Sequence, residues 1–156
     1  MKIVVLGDSH GNIVNTKLVL GFAKKIKAGG IIHLGDWDNL KAVEEILASG
    51  IPLYSVLGNA DIHTEIKDML KKYAKEFDEK YLELKLDDRL IGIVHNIRDF
   101  VFGGKKPDIV FCGHRHFKLE RMINGIKIIS PGALHSIKPS FAVYDTSTNK
   151  VEFFDL

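Results

Sequence analysis

The 156-residue chain contains one cysteine, Cys112, so it cannot form an intramolecular disulfide. A single thiol after an apolar run is typical of a buried, inert side chain, and such sparse use of cysteine favours a reducing compartment. No apolar run approaches the roughly 20 residues of a membrane-spanning helix. The first run is also too short for a signal peptide, since Asp8 follows it at once. We therefore expect a soluble cytoplasmic protein with no membrane partner.

The chain also lacks a dominant charge. It has 22 Lys and Arg against 20 Asp and Glu, for a net charge of +2. The basic residues are scattered, and the densest groups, 24–27 and 71–72, fall in helical patterns where a solvated face explains them. No continuous basic stripe is present, so a nucleic-acid polymer is not the expected partner. With no linker, repeat or low-complexity segment, we interpret residues 1–156 as one domain.

The first half of the chain alternates short apolar strands with amphipathic helices. Strands are predicted over 3–6, 31–34 and 53–57, and helices over 12–27, 40–49 and 62–77. Asn12 is a suitable N-cap for the first helix. A repeated strand–helix order implies a parallel sheet joined by crossovers.

The second half follows a different pattern, with short strands and few helices. The Asn124-Gly125 pair is a strong hairpin signal. This half therefore predicts mostly a β meander, and the whole chain predicts two packed sheets. The strands are expected over 80–86, 89–95, 107–112, 118–123, 126–129, 140–144 and 151–154.

Polar residues follow five of the predicted strands directly. Asp8 and His10 come after the first, and alternation in an extended segment would send both side chains to one side. Ligands bind at the carboxyl ends of strands in open α/β sheets. Singly, these residues are equally explained as helix caps, turn residues or buried core histidines, but their convergence favours a metal site. The full set is Asp8, His10, Asp36, Asp38, Asn59, Asp61, His95, His114 and His116.

The ligand types indicate which ions would suit this site. Carboxylate, amide oxygen and imidazole without thiolate suit divalent Mn, Fe, Zn, Co or Ni. Within the set, two aspartates, one asparagine oxygen and four imidazoles make seven ligands, which are too many for one ion and suit two ions that share a carboxylate. A pair of such ions forms a clamp for phosphoryl chemistry.

The ordered motifs resemble the calcineurin-like metallophosphoesterases, and are most similar to their small bacterial and archaeal phosphodiesterase branch. The resemblance implies a four-layer αββα sandwich of two mixed sheets flanked by helices. It also implies hydrolysis of small phosphodiesters by in-line attack of a hydroxide that bridges two metal ions. Mn²⁺ is favoured, with Ni²⁺, Fe²⁺, Zn²⁺ or Mg²⁺ as alternatives. The motifs are Asp8-x-His10, Gly35-Asp36-x-Asp38, Gly58-Asn59-x-Asp61, His95 and Gly113-His114-Arg115-His116, with the Pro131-Gly132-Ala133 turn beyond them.

The same resemblance implies a role for each site residue. One metal would be held by Asp8, His10 and His116, and the other by Asn59, His95 and His114. Asp36 would bridge the two ions, and Asp61 would orient a ligand or a water. The residues expected to take part in catalysis are Asp36, Asn59, Asp61 and His95.

Three positions depart from the family pattern. Many of these phosphatases have a histidine after the motif asparagine as general acid, but this chain has Ala60. This favours substrates with good leaving groups or another proton donor. His63 is a candidate donor, with a surface residue at a helix start as the ordinary alternative. Asn96 replaces a usual glycine, and Arg115 could contact a phosphate, although alternation along the segment favours a surface role.

Three further residues lie near the motifs. His33, inside the second strand, is expected in the core or behind the ligands. His135, just past the turn at 131–132, is a candidate to reach the pocket and contact substrate. Trp37 could wall the pocket, although a large aromatic residue at a sheet end is usually packed in the core.

Two other functions fit the sequence less well. The retromer's phosphoesterase-like subunit has this fold and acts as a scaffold, and Ala60 is compatible with such a binding protein. A nuclease acting on polymers would call for a capping domain or a basic stripe. The natural substrate and the oligomeric state stay open, and a homo-oligomer is compatible with the sequence.

Overall fold

The computed structural model describes residues 1–101 and 106–156, which form two facing β-sheets and three α-helices. The helices are α1 (Ile13–Lys25), α2 (Leu40–Ala48) and α3 (Thr64–Tyr73), and a 3-10 turn covers Ile97–Asp99. The strands are β1 (Lys2–Leu6), β2 (Gly30–His33), β3 (Leu53–Val56), β4 (Glu76–Asp78), β5 (Tyr81–Leu86), β6 (Arg89–Val94), β7 (Ile109–Cys112), β8 (Lys118–Ile123), β9 (Ile126–Pro131), β10 (Ser140–Asp145) and β11 (Lys150–Asp155).

The first sheet has the strand order β11-β10-β1-β2-β3-β4. Strands β1 to β4 are parallel, as the strand–helix repeat predicts, and β10 pairs antiparallel to β1. The second sheet has the order β5-β6-β7-β9-β8. Its central strands β6, β7 and β9 are parallel to one another, and only its outer strands β5 and β8 pair antiparallel. The α/β sandwich of two mixed sheets is confirmed.

The structure corrects two details of this prediction. The second half is not mainly a meander, since β6–β7 and β7–β9 are parallel pairs and β10–β11 joins the first sheet. The predicted helix over 62–77 is also too long, because α3 ends at Tyr73 and Ala74 is extended. The Lys75 amide then donates to the Leu53 carbonyl at 2.7 Å, and β4 pairs with the edge of β3. Backbone pairing at a free sheet edge therefore overrides the helical pattern there.

Two apolar layers flank the first sheet, because successive side chains of a strand point to opposite faces. In β1, Ile3 and Val5 pack between the two sheets, where they meet Ile93 and Phe111 of the second sheet. Val4 and Leu6 point the other way, into a layer shared with all three helices. All four side chains are at most 1% exposed. The strands that lead into the polar loops are therefore fixed on both faces.

The outer face of the second sheet carries a smaller apolar cluster than the helix-covered face of the first sheet. Val94, Val110 and Ile128 lie on this face, and Phe100 packs on them, with Ile97 of the 3-10 turn beside it. In residues 1–101 and 106–156 no α-helix lies against this face. Across the same residues, none of the helices has the length and apolar character that a membrane crossing requires.

Candidate metal centre

The predicted site residues come together where the two sheets meet, just beyond the carboxyl ends of five strands. Three of these strands belong to the first sheet and two to the second. The seven predicted metal ligands lie close together at this end of the strands. Asp8 and His10 follow β1, Asp36 follows β2, Asn59 and Asp61 follow β3, His95 follows β6, and His114 and His116 follow β7.

Asp36 lies at the centre of the group and is 2% exposed. Its Oδ2 atom is 3.5 Å from Nε2 of His10 and 3.4 Å from Nε2 of His95. Its Oδ1 atom accepts a hydrogen bond from the Ala60 backbone amide at 2.9 Å. One carboxylate oxygen is therefore held by the backbone, and the other lies between imidazoles from different sheets.

The first group of potential ligands surrounds one side of Asp36. One ligand atom from each of Asp8, His10, Asp36 and His116 lies within 4.8 Å of the others. Nε2 of His116 is 3.3 Å from Oδ1 of Asp8. On its far side, Nδ1 of His10 is 3.3 Å from Oδ2 of Asp38. That carboxylate can accept a hydrogen bond from Nδ1–H, which leaves the Nε2 lone pair of His10 facing Asp36.

A second group of potential ligands, Asn59, His95 and His114, meets Asp36 through His95. Nε2 of His95 is 3.0 Å from Oδ1 of Asn59 and 3.2 Å from Nδ1 of His114. The Nδ1 atom of His95 donates to the Leu34 carbonyl at 2.8 Å. Burial lowers the pKa of His95, so the ring is neutral near pH 7 and its Nε2 carries a lone pair. That lone pair faces the oxygens of Asn59 and Asp36.

This donor set fits divalent cations. Nε2 of His10 is buried and makes no hydrogen bond to any residue in the described part of the chain. Around Asp36, the lone pairs of imidazole and carboxylate converge, an arrangement that is repulsive unless a proton or a cation lies between them. Oxygen and imidazole ligands suit first-row divalent metals. The two groups could therefore hold two such ions that share Asp36.

Asp8 is fully buried, and its environment disfavours its charge. The pKa of Asp8 is raised to about 7, chiefly by burial and to a smaller extent by the carboxylates of Asp36 and Asp61. The His114 backbone amide opposes this by donating to both carboxylate oxygens, at 3.0 and 3.2 Å. A cation in the first group would therefore replace the proton that Asp8 otherwise holds at neutral pH.

Asp61 acts through the backbone of neighbouring loops. Its Oδ2 accepts from the amides of Asp36 at 2.9 Å and Gly58 at 2.8 Å. Its Oδ1 accepts from the amides of Trp37 at 2.7 Å and Asp38 at 3.1 Å. Burial raises the pKa of Asp61 above its ordinary value, and the amide hydrogen bonds from Gly58, Trp37 and Asp38 oppose this rise. Asp61 is thus hydrogen-bonded to the backbone of the Asp36 loop and of its own loop.

The ligand loops are tight turns rather than extended segments. Asp8 and His10 have φ values of 49° and 40°, Asp36 has 55°, and His114 and His116 have 69° and 58°. Strict alternation is therefore the wrong explanation for the convergence of Asp8 and His10, because β1 ends at Leu6. Left-handed conformations cost energy in residues with a Cβ and cluster at functional sites. Such turns aim successive ligands at one point.

Gly58 is required by the close approach of the loops after β2 and β3. A Cβ atom added to Gly58 would lie 2.1 Å from Oδ1 of Asp36 and 2.4 Å from its backbone nitrogen. The glycine in this motif therefore allows the Asp36 carboxylate to reach the Ala60 amide.

His33 and Trp37 lie behind the site rather than in its wall. The two rings stack at 3.4 Å and both are fully buried. His33 Nε2 is 3.3 Å from the Ser9 hydroxyl, and Trp37 Nε1 donates to the Ser55 hydroxyl at 3.3 Å. Burial lowers the pKa of His33 well below its ordinary value, so the ring is neutral. Both residues support the turns that carry the ligands.

His135 lies in the site, although it is absent from the implied ligand set. Its ring centroid is 4.3 Å from that of His10 and 4.6 Å from that of His116. Its Nδ1 donates to the Asp8 carbonyl at 2.9 Å. In the sequence, the position of His135 just past the turn at 131–132 indicates that it lies near the pocket. It does not indicate which residues the side chain contacts.

An open groove of about 340 Å³ borders the second group of ligands. Its lining includes Asn59, His95, Lys80, Asn96 and Asp99. The other candidate residues lie at the surface. His63, at the start of α3, is exposed and makes no capping hydrogen bond, and Arg115 is exposed beside a separate groove on the second sheet.

Several known proteins are similar to this chain in sequence or in fold. A phosphodiesterase of Methanocaldococcus jannaschii is 22% identical over 138 residues, which cover 85% of this chain and 83% of that protein. The solved structure of an archaeal phosphodiesterase matches with a TM-score of 0.84 and 20% identity, and all of both chains is covered. A phosphoesterase from E. coli matches with a TM-score of 0.73 and 16% identity, over 99% of this chain and 98% of the other.

A further solved structure, vacuolar protein sorting 29 from Cryptosporidium parvum, has a TM-score of 0.65 and 18% identity, over 99% of this chain and 96% of the other. At such identities the structural likeness establishes the fold alone. The sequence itself gives a closer assignment, because the model of the calcineurin-like phosphoesterase superfamily domain matches residues 1–149. That match spans every residue placed in the site above, and the chain therefore belongs to the calcineurin-like phosphoesterase superfamily.

Proposed function

We propose that this chain is a two-metal phosphodiesterase that hydrolyses small phosphodiesters, with residues 1–156 acting as one domain. The observation that carries the proposal is the position of Asp36. One of its oxygens lies 3.5 Å from His10 of the first group and 3.4 Å from His95 of the second. A carboxylate placed this way is suited to bridge two ions.

In this proposal one ion is held by Asp8, His10 and His116, and the other by Asn59, His95 and His114. Mn²⁺ is favoured, with Ni²⁺, Fe²⁺, Zn²⁺ or Mg²⁺ as alternatives, because the ligands are oxygen and imidazole only. When bound, the ions polarise the phosphate oxygens and make hydroxide available as an in-line nucleophile near neutral pH.

The chain's own residues hold and orient these ligands. Asp61 fixes the Asp36 loop through four backbone amides. The Leu34 carbonyl fixes the ring of His95, so that Nε2 faces the site. The ligand side chains are therefore preorganised before substrate binds, which lowers the reorganisation energy of the reaction.

Ala60 bears on the choice of substrate. No imidazole follows Asn59 to give a proton to the departing oxygen. The groove beside Asn59 and His95 holds Lys80, whose ammonium is suited to attract the anionic diester. Diesters with a leaving group that is stable as an anion, such as an aryloxide, are therefore the favoured substrates.

The same groove favours small substrates over nucleic-acid polymers. Glu79 and Asp99 line it beside Lys80, and acidic side chains repel a continuous phosphate backbone. A steep fall of polynucleotide binding with rising salt would instead support a nuclease. The buried free thiol of Cys112 is consistent with the proposed cytoplasmic setting.

The test is hydrolysis of bis(p-nitrophenyl) phosphate by purified protein loaded with Mn²⁺. We expect turnover that EDTA abolishes and that His95→Ala or Asn59→Ala lowers by about 100-fold or more, since each removes a ligand. The His63→Ala variant, which removes an exposed histidine, should keep wild-type activity. Wild-type turnover no faster than that of the two ligand variants would overturn the proposal.

The second candidate is a binding protein with little catalysis. It is favoured by the likeness of the fold to vacuolar protein sorting 29. The same Mn²⁺-loaded protein distinguishes the two functions. Protein that binds two Mn²⁺ ions tightly but hydrolyses no member of a panel of diesters, cyclic nucleotides included, would support the binding protein.

A further inference from the structure

His135 is an imidazole beside the first metal group that the motif-based ligand set leaves unused. One ring nitrogen from each of His10, His116 and His135 lies within 4.8 Å of the others. The three rings meet nearly at right angles, at 71° for His10 with His135 and 86° for His116 with His135. Three imidazole nitrogens this close together, on rings so oriented, are suited to surround a common point.

The hydrogen bonds of His135 determine what its free nitrogen can do. The Asp8 carbonyl can only accept, so Nδ1 of His135 must be the donor across their 2.9 Å contact. In the neutral ring the other nitrogen, Nε2, then carries a lone pair. His95 is built in the same way, with Nδ1 donating to the Leu34 carbonyl and Nε2 facing the site. Metal-binding histidines are commonly oriented by such a hydrogen bond.

The backbone around His135 fixes this ring in place. The His135 amide also donates to the Asp8 carbonyl, at 3.2 Å, and the Leu134 amide donates to Gly7 at the same distance. The side-chain amide of Asn15, in the first turn of α1, donates to the Leu134 carbonyl at 2.7 Å. The turn is thus attached both to the end of β1 and to the helix that follows.

We propose that His135 is an additional ligand of the ion held by Asp8, His10, Asp36 and His116, through its Nε2 atom. The inference rests on the metal site of the proposed function and adds to it a residue that the motifs do not contain. His10 and His116 belong both to this group of three imidazoles and to the group that contains Asp8 and Asp36, so the two groups share a pair of ligands. His116 and His135 are exposed, whereas Asp8 and Asp36 are buried.

A third imidazole changes the metal preference of this position. Nitrogen ligands favour Ni²⁺ and Co²⁺ over Mn²⁺ and Mg²⁺ more strongly than oxygen ligands do. Removal of His135 should therefore weaken the binding of Ni²⁺ and Co²⁺ more than that of Mn²⁺. A residue that only shapes the pocket would not discriminate between these ions.

The test compares His135→Asn with His135→Ala in the full chain. Asparagine keeps an N–H that can donate to the Asp8 carbonyl and loses the Nε2 lone pair, whereas alanine loses both. Titration calorimetry with NiSO₄ and MnCl₂ gives the affinities, and the visible absorption of the Co²⁺-loaded protein reports its ligands. His63→Ala serves as control for the loss of any histidine, and the melting temperature in EDTA checks the fold of each variant.

We expect both His135 variants to bind Ni²⁺ about tenfold or more weakly at one site, with a smaller loss for Mn²⁺ and an altered Co²⁺ spectrum. If His135→Asn kept the wild-type affinities and Co²⁺ spectrum, the proposal would be overturned. This holds even if His135→Ala bound the metals more weakly, because only the hydrogen bond to the Asp8 carbonyl would then matter. Binding as expected without diester turnover would refute the proposed function and leave the ligand role standing. Wild-type protein that binds none of these ions would overturn both.

Discussion

Asp8 is a buried carboxyl group whose charge is disfavoured until a cation compensates it. Its pKa in the fold is raised to about 7, chiefly by burial, against an ordinary value of 3.8. Between these two pH values the folded, metal-free protein holds a proton that the unfolded chain releases. The contribution of Asp8 to stability is therefore lost as the pH rises toward 7.

Replacement of Asp8 by asparagine should remove this pH dependence in the metal-free protein. We expect the unfolding free energy of Asp8→Asn, relative to wild type, to rise by about 2–3 kcal/mol between pH 5 and pH 8. Urea unfolding in EDTA at several pH values measures the unfolding free energy of both proteins. In the difference between variant and wild type, the effects of the other titrating groups cancel. A difference that stays constant across this range would contradict the assigned pKa.

Individual residues differ in how much the sequence reveals about them. The metal-ligand types at Asp8, His10 and Asp36 are readable because each follows an apolar strand. The four amide partners of Asp61 are not readable, since they depend on how the loops after β2 and β3 fold over one another. His135 is similar, because its neighbours His10 and His116 are distant in sequence.

At the scale of elements, the loops after β2 and β3 form the most closely packed part of the site. Gly58 passes so near Asp36 that a Cβ atom would lie 2.1 Å from its Oδ1. The Asp36 carboxylate then bonds to the Ala60 amide at 2.9 Å. The position of the Asp36 carboxylate thus depends on a backbone contact that only glycine permits.

The Gly58→Ala variant should displace Asp36 and weaken metal binding. Overpacking of this kind costs about 1–3 kcal/mol of stability, and we expect Mn²⁺ affinity to fall with it. The matched control is Gly21→Ala on α1, where an added Cβ meets nothing within 4 Å and removal of glycine should stabilise the helix by about 0.5–1 kcal/mol.

Calorimetric titration with MnCl₂ and thermal unfolding in EDTA would measure both effects in the two variants. Equal Mn²⁺ affinity and equal stability in Gly58→Ala and wild type would show that the loops have room for a side chain, contrary to the geometry described.

The elements themselves are predictable where a local pattern is strong and less so at their ends. Strands β1 to β3 are buried on both faces and match the predicted apolar runs. Strand β4 is missed because Glu76–Asp78 continues a helical pattern and pairs only through its backbone with β3. The left-handed conformations of Asp8 and His10 are missed because such φ values are uncommon in residues that carry a Cβ.

At the scale of the molecule, the site joins the two sheets. His95 of the second sheet donates to the Leu34 carbonyl of the first at 2.8 Å, and the His114 amide donates to Asp8 at 3.0 Å. The apolar layer between the sheets fixes their spacing. The sequence predicts two packed sheets with the ligands at the same end of their strands. The strand order, which sets β5 and β6 against β3 and β9 against β10, arises from long-range pairing that no local pattern contains.

Mn²⁺ binding shows whether Asp36 bridges two metal ions, as we propose. Equilibrium dialysis followed by electron paramagnetic resonance would give the number of ions per chain and their coupling. We predict two Mn²⁺ ions per chain with the spectrum of an exchange-coupled pair in wild type, and loss of that coupling in Asp36→Ala. One ion per chain, or two ions with the spectrum of isolated Mn²⁺, would mean that Asp36 does not bridge two metal ions.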